Sequence, residues 1–230
     1  TPSNSSAASD VYKRQVFRDM GFEVLEGPEI ESEWYNFDSL RVPEWHPARD
    51  VQDTFYLEDG RLLRTHTSAM QVRAMEKRKP PVRIIVPGRV FRNEATDASH
   101  EANFYQLEGF AIDSHIQMRH LFGVLEKFVR EIFGSKTKYR FVPAYFPFVE
   151  PGTEMLIQLG KQKKWLEVLG AGMIHPEVLK NMGVDPNKFQ GFAFGMGVDR
   201  LAMILAGFND VRLSYQGDLR FLKQFKFKKC

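Results

Sequence analysis

GRVFRNEATDASHEANFYQLEG, residues 88–109, alternates at both ends and is polar between them. Ile84 and Val86 lead into Val90 and Arg92 with the period of a strand. A polar loop runs from Asn93 to Ala102, and Phe104, Gln106 and Glu108 then alternate on the way out. The pattern predicts a hairpin with a long tip. Phe104, Gln106 and Glu108 then share one sheet face, and Arg92 approaches them from the neighbouring strand. Arg, Gln and Glu together are costly to bury unless they bind something charged. Two readings fit: an amphipathic hairpin with a solvated outer face, or a face open to a cleft that takes a charged ligand.

The chain has 230 residues, 43% of them hydrophobic and 13% aromatic, which suits one large folded domain or two small ones. No apolar run reaches transmembrane length. A formal charge of +3 leans basic, yet 29 acidic residues nearly offset 32 basic ones, so a polyanion partner is compatible but not demanded. The single cysteine, Cys230, excludes a disulfide framework and a thiolate metal cage, and a reducing, cytoplasmic setting is the expectation. Six histidines without an HExxH spacing argue against a zinc hydrolase. With no GxSxG, and with its lone Cys terminal, the chain has no evident covalent nucleophile. Charge placement by Arg, Glu, Gln, His and aromatics remains, and that suits positioning of reactants.

Residues 1–15 lack an apolar signal segment and are expected to be a non-native or disordered leader, with the folded domain spanning 16–230. Val16–Met20 reads as a helix end stopped by Gly21. The stretch GFEVLEGPEIESEWYNFDSL then reads as an edge strand and loop. Leu40–Asp59 is an ordered loop feeding a short strand at Asp53–Leu57, and Leu62–Arg64 is a second short strand. Thr65–Ser68 opens a helix expected to reach Pro80. Thr67 or Ser68 caps it, and its free amides could either be plain helix ends or receive an anion.

Ser114–Phe133 is the clearest helix, with an apolar stripe from Met118 to Phe133 and a capping box predicted between Ser114 and Gln117. Tyr139–Val149 is strand-forming. Alternation places Phe146 with Phe148 on one face and Val149 with Tyr145 on the other. Met155–Leu159 and Trp165–Leu169 read as strands joined by a basic turn, Lys161–Lys164, and a short helix is expected over Pro176–Met182. Gly191–Arg200 reads as a strand, a glycine turn and a helix start. It lacks the Gly-Lys-Ser/Thr of a P-loop and the third glycine of a dinucleotide fingerprint.

Phe91-Arg92-Asn93-Glu94, with His100–Gly109 after the loop, resembles the second signature motif of class II aminoacyl-tRNA synthetases, within them the bacterial phenylalanyl-tRNA synthetase alpha-chain family. Residues 21–40 resemble the first motif, whose helix and strand form the subunit interface in that family. Gly191–Arg200 resembles the third, with Asp199 where the family often has Glu, and Leu213–Phe225 resembles the closing residues. The resemblance implies an α+β fold, a largely antiparallel sheet flanked by helices.

It also implies roles. Arg92 would hold the α-phosphate of ATP and Arg200 the distal phosphates. Glu94 would accept from the adenine amino group, Phe104 would stack on the ring, and His100 would lie near the phosphates. His66, Ser68, Gln106 and Glu108 would hold the ammonium and carboxylate of phenylalanine. Phe146, Phe148, Val149 and Ala193 would enclose its side chain. Mg2+ is expected on the phosphates, with Glu150 as protein ligand.

A beta chain in a two-alpha, two-beta assembly, tRNA(Phe) and phenylalanine are the implied partners, with no membrane. The family's N-terminal tRNA-binding arm has no counterpart in these residues, and the 30 residues after Arg200 favour the two-chain form. A non-enzymatic amino-acid or RNA-binding module of the same fold is the rival reading. Retention of Arg92 and Arg200 argues against it.

Overall fold

A computed structural model describes residues 15–50, 53–98, 101–159 and 164–225. The readings made for residues 1–14, His100 and Lys161–Lys163 lie outside these. In chain order the strands are β1 (Glu23–Val24), β2 (Ile30–Glu31), β3 (Leu62–Leu63), β4 (Val82–Phe91), β5 (Asn103–Asp113), β6 (Lys138–Phe146), β7 (Val149–Gln158), β8 (Leu166–Ile174) and β9 (Gln190–Gly197). The helices are α1 (Glu33–Asn36), α2 (Ala69–Met75), α3 (Met118–Phe133), α4 (Pro176–Asn181), α5 (Val198–Ala206) and α6 (Leu219–Leu222). Seven strands form one sheet in the order β1-β4-β5-β9-β8-β7-β6, and β2 pairs with β3 apart from it. β1 runs parallel to β4, while the other pairs are antiparallel. This is the α+β, largely antiparallel architecture expected. None of the helices among the described residues is long and apolar enough to cross a membrane.

Alternation divides the sheet into two buried faces. Leu107, Ala111, Phe192, Phe194 and Met196 pack under α3, whose Leu121, Leu125, Phe128 and Val129 recur at helical spacing. Phe17 ties the layers together, its ring 5.0 Å from Phe128 and 5.1 Å from Phe194. Such aromatic pairs contribute about 0.5 to 1.5 kcal/mol each beyond area burial. On the opposite face Ile84, Val86, Phe110, Ile112 and Ala193 meet Met70, Val72 and Met75 of α2 and Val178 and Leu179 of α4. Behind α2, Arg64 is buried and donates to the carbonyls of Gly27, Pro28 and Arg89, which holds the loop before β2 against the hairpin.

The expected hairpin forms, with Val90 opposite Phe104, Gly88 opposite Gln106 and Val86 opposite Glu108. Four local readings are corrected. Asp53–Leu57 contributes a single bridge, Tyr56 to Leu62, in place of a strand. The helix after Ser68 ends at Met75, because Glu76–Lys79 offer nothing to its apolar face. The long helix starts at Met118 and its cap lies one turn later than expected. Ser114 commits its N–H and hydroxyl to Asp113, and Gln117 N donates to His120 Nδ1 at 3.1 Å. Lastly, β6 stops at Phe146 and Val149 opens β7, with the register shifting between Ala144 and Phe146. Val149 is therefore buried while Tyr145 is 84% exposed, so the two do not share a face.

Candidate active site

β8 and β9 pair Gly170 with Gly195 and Gly172 with Ala193, so the centre of the α2 face carries almost no side chains of its own. Neighbouring side chains lean into that space. The ring tip of Phe146 lies 2.8 Å from where a Cβ on Gly170 would stand. Glu108 Oε2 and Gln106 Nε2 lie 3.0 and 3.2 Å from the same point on Gly195. An aromatic wall and a polar cluster thus meet above one glycine pair.

The polar cluster is built around Glu108, which is 3% exposed. Ser68 Oγ donates to its Oε2 at 2.8 Å, and Gln71 Nε2 donates to its Oε1 at 2.5 Å. Burial pushes the Glu108 carboxyl up to about 7, against the pull of those two hydrogen bonds. The expected helix cap is therefore absent: Ser68 has helical backbone angles, makes no cap bond, and gives its hydroxyl to Glu108. Burial, followed by the charge of Arg92, holds His66 down at about 4, so its imidazole is neutral near pH 7. His66 Nδ1, Thr67 Oγ1 and Gln106 Oε1 are all buried and have no hydrogen-bond partner among the described residues. Buried polar atoms are seldom left so, and their concentration here suits a small ligand carrying both charged and hydrogen-bonding groups.

The aromatic wall is a stacked pair. Phe146 and Phe148 have centroids 5.9 Å apart at 19°, and they pack in one apolar cluster with Val149 and Ala193. The four residues assigned to the side-chain pocket are therefore together.

Next to them Arg92, Glu94, Phe104 and Arg200 line a cavity of about 510 Å³ that also takes in Gly170, Gly195 and Gly197. The Arg92 guanidinium lies 5.0 Å from the centre of the Phe104 ring, and its Nε donates to the Thr65 carbonyl at 3.2 Å. Burial works against the charge of Arg92, while Glu94 and Asp53 favour it. An anion in the cavity would add to that second effect. The cavity and the polar cluster share the Gly170–Gly195 pair.

Glu150 stands apart from that cavity lining. Its side chain is 77% exposed and lies 3.5 Å from His175 Nε2. Among the described residues no group of three or more His, Cys, Asp or Glu side chains could hold a metal ion. Sequence reasoning missed Gln71, although its place three residues after Ser68 puts both on one helical face. It also missed the cavity residues Glu101, which lies within the second motif but was given no role, and Glu167 and Met203, which no motif distinguishes.

The family model described as tRNA synthetases class II core domain (F) matches residues 6–225. The chain belongs to this class II synthetase family. This class II core is 52% identical over 212 residues to a protein of Aeromonas hydrophila named phenylalanine–tRNA ligase alpha subunit, a match covering 92% of this chain and 64% of the relative. A relative of the same name from Caldicellulosiruptor saccharolyticus is 50% identical over 222 residues, covering 92% of this chain and 65% of its own. The class II core thus spans just under two thirds of the length of these relatives. Its fold is similar to that of pyrrolysyl-tRNA synthetase from Desulfitobacterium hafniense, with a TM-score of 0.73 and 17% identity over 94% of this chain and 75% of that one.

Proposed function

We propose that this class II core activates phenylalanine with ATP and passes the phenylalanyl group to tRNA(Phe). The observation that carries the reading is the shared glycine pair: the Phe146 ring leans onto Gly170 and the Glu108–Gln106 cluster onto Gly195, and both glycines border a cavity lined by two arginines. An α-amino acid with an aromatic side chain lying there would have its carboxylate facing that cavity. The names of the curated relatives support the same amino acid.

In the reaction a carboxylate oxygen of phenylalanine attacks the α-phosphorus of ATP, a new P–O bond forms, and pyrophosphate leaves. Arg92 neutralises charge growing on the α-phosphate, where a guanidinium fork fits better than an ammonium. Arg200 holds the distal phosphates, Glu94 accepts from the adenine amino group, and Phe104 stacks on the ring. Gln106 Oε1 and Glu108 receive the ammonium, whose charge favours the ionised carboxylate over the proton that burial favours. Neutral His66 and Ser68 complete the head-group site, and Phe146, Phe148, Val149 and Ala193 enclose the ring. The terminal ribose hydroxyl of tRNA then attacks the carbonyl carbon, and AMP leaves.

Mg2+ would offset phosphate charge. The described residues do not build a full site for it, so Glu150 is proposed as one accessible ligand, the others coming from nucleotide, water or another chain. The chain is taken to work in the cytoplasm with a beta chain, as a two-alpha, two-beta assembly. The alpha-subunit names of its relatives support a partner. ATP–pyrophosphate exchange with each amino acid, with and without a beta chain, tests the proposal: phenylalanine alone should drive exchange. A folded assembly that binds phenylalanine or RNA without exchange would be a binding module instead.

A further inference from the structure

We infer that Asp199 is a positioning residue of the nucleotide site, joining the strand that carries Phe104 and Gln106 to the helix that carries Arg200. The inference rests on the reading of that cavity as the ATP site. β5 and β9 stay in register up to the pair Gln106–Gly197. There β9 ends and α5 begins, so the backbone that would receive the next N–H of β5 has turned away. That N–H belongs to Tyr105, and it donates to Asp199 Oδ2 at 2.7 Å. A carboxylate thus continues the ladder where the main chain no longer can, with a short, charge-assisted bond in place of an orphaned donor.

The location gives this bond leverage on the cavity. Tyr105 lies between Phe104 and Gln106, Asp199 directly precedes Arg200, and Asp199 is itself 6% exposed at the cavity wall with Phe104 and Arg200. Fixing one N–H to one carboxylate therefore fixes the ring expected under adenine relative to the arginine expected on the distal phosphates. Two further contacts fasten the same corner. Burial, and then the neighbouring Asp199 carboxylate, raise the Tyr215 pKa, which puts the phenol beside Asp199. Four residues before Tyr215, Val211 N donates to the Ala98 carbonyl at 2.9 Å, tying this C-terminal segment to the loop between β4 and β5. Loop, strand and helix are thus linked around Asp199.

Asp199→Ala and Asp199→Asn, each assembled with the beta chain, test the inference by ATP binding in calorimetry and by exchange kinetics. Asp199→Ala should weaken ATP binding and raise the ATP KM about tenfold, as loss of a charged hydrogen bond does. The phenylalanine KM should rise less than the ATP KM, because of that site only Gln106 lies next to the bond, while Glu108 is farther along β5 and is held by Ser68 and Gln71. Asp199→Asn keeps an oxygen for the Tyr105 N–H and should recover ATP binding to within about threefold of wild type. A folded Asp199→Ala with wild-type ATP affinity overturns the inference, as does equal loss of ATP and phenylalanine affinity. A folded Asp199→Asn as impaired as Asp199→Ala also overturns it, and this arm decides alone if the alanine variant does not fold. Wild-type protein that binds ATP but shows no phenylalanine-dependent exchange contradicts the proposed function, and the ATP-binding comparison still decides the role of Asp199. Wild-type protein that binds no ATP overturns both.

Discussion

Ser68 and Glu108 are joined by a hydrogen bond from Oγ to Oε2 of 2.8 Å, and it helps to hold a carboxyl group almost wholly away from solvent. Burial raises the Glu108 pKa from 4.5 to about 7, so the folded, unliganded protein holds that proton more tightly than the unfolded chain does. The stability this confers is complete below about pH 4.5 and is lost as pH rises through about 7. Relative to Glu108→Gln, the wild type should lose up to roughly 3 kcal/mol on passing from about pH 5 to about pH 8. Denaturant titrations of both proteins across that range check it, and a constant difference between them would rule it out. Bound phenylalanine should flatten the wild-type curve, since its ammonium favours the ionised carboxylate.

A methyl group on Gly170 would stand 2.8 Å from the ring tip of Phe146, so Gly170→Ala should push that ring into the slot it is proposed to wall. The phenylalanine KM in pyrophosphate exchange is expected to rise about tenfold, the scale of a methylene-sized change in an apolar pocket. The ATP KM should change less, although Gly170 also borders the cavity. Equal rises in both constants would show that Phe146 does not wall the amino-acid slot.

Ala193 is buried to 2% opposite Gly172, in the apolar cluster that includes Val149 and against which Phe146 and Phe148 pack, and its methyl is proposed to limit the depth of the slot. Ala193→Gly should admit para-substituted phenylalanines and alter phenylalanine activation by about 1 to 3 kcal/mol at most. Exchange with para-chlorophenylalanine is the readout. No gain over wild type on that substrate would remove Ala193 from the pocket floor.

The hairpin was legible because a period of two survives through Val86, Val90, Phe104, Gln106 and Glu108, and one residue of slip would have put Glu108 among the phenylalanines of the α3 face. Where the pattern misled, a local competitor explains it. Asp113 takes the Ser114 N–H that a capping box would give to the N3 side chain, and draws the Ser114 hydroxyl toward itself as well. Alternation through Tyr145–Val149 carries no mark of the register shift after Ala144, so Val149 was assigned to the wrong face. Gly170 and Gly172 gave no apolar signal for the second half of β8, although their missing side chains are what leave room for Phe146 and Val149. Motif resemblance brought forward residues proposed to touch a ligand. It could not show Gln71 or the Tyr105–Asp199 bond, which depend on elements far apart in the chain meeting in space.

Arg92 is the residue on which the functional account most depends, since it lies beside Phe104, reaches the Thr65 carbonyl and lines the same cavity as the Gly170–Gly195 pair. The most direct test is the rate of phenylalanine-dependent ATP–pyrophosphate exchange by Arg92→Ala assembled with the beta chain, alongside its melting temperature. The expected result is a loss of at least about 100-fold in a protein that still melts cooperatively, since removing one preorganised charge contact of this kind costs about 2.7 to 4 kcal/mol. Near-normal exchange by a folded Arg92→Ala protein would contradict the assignment.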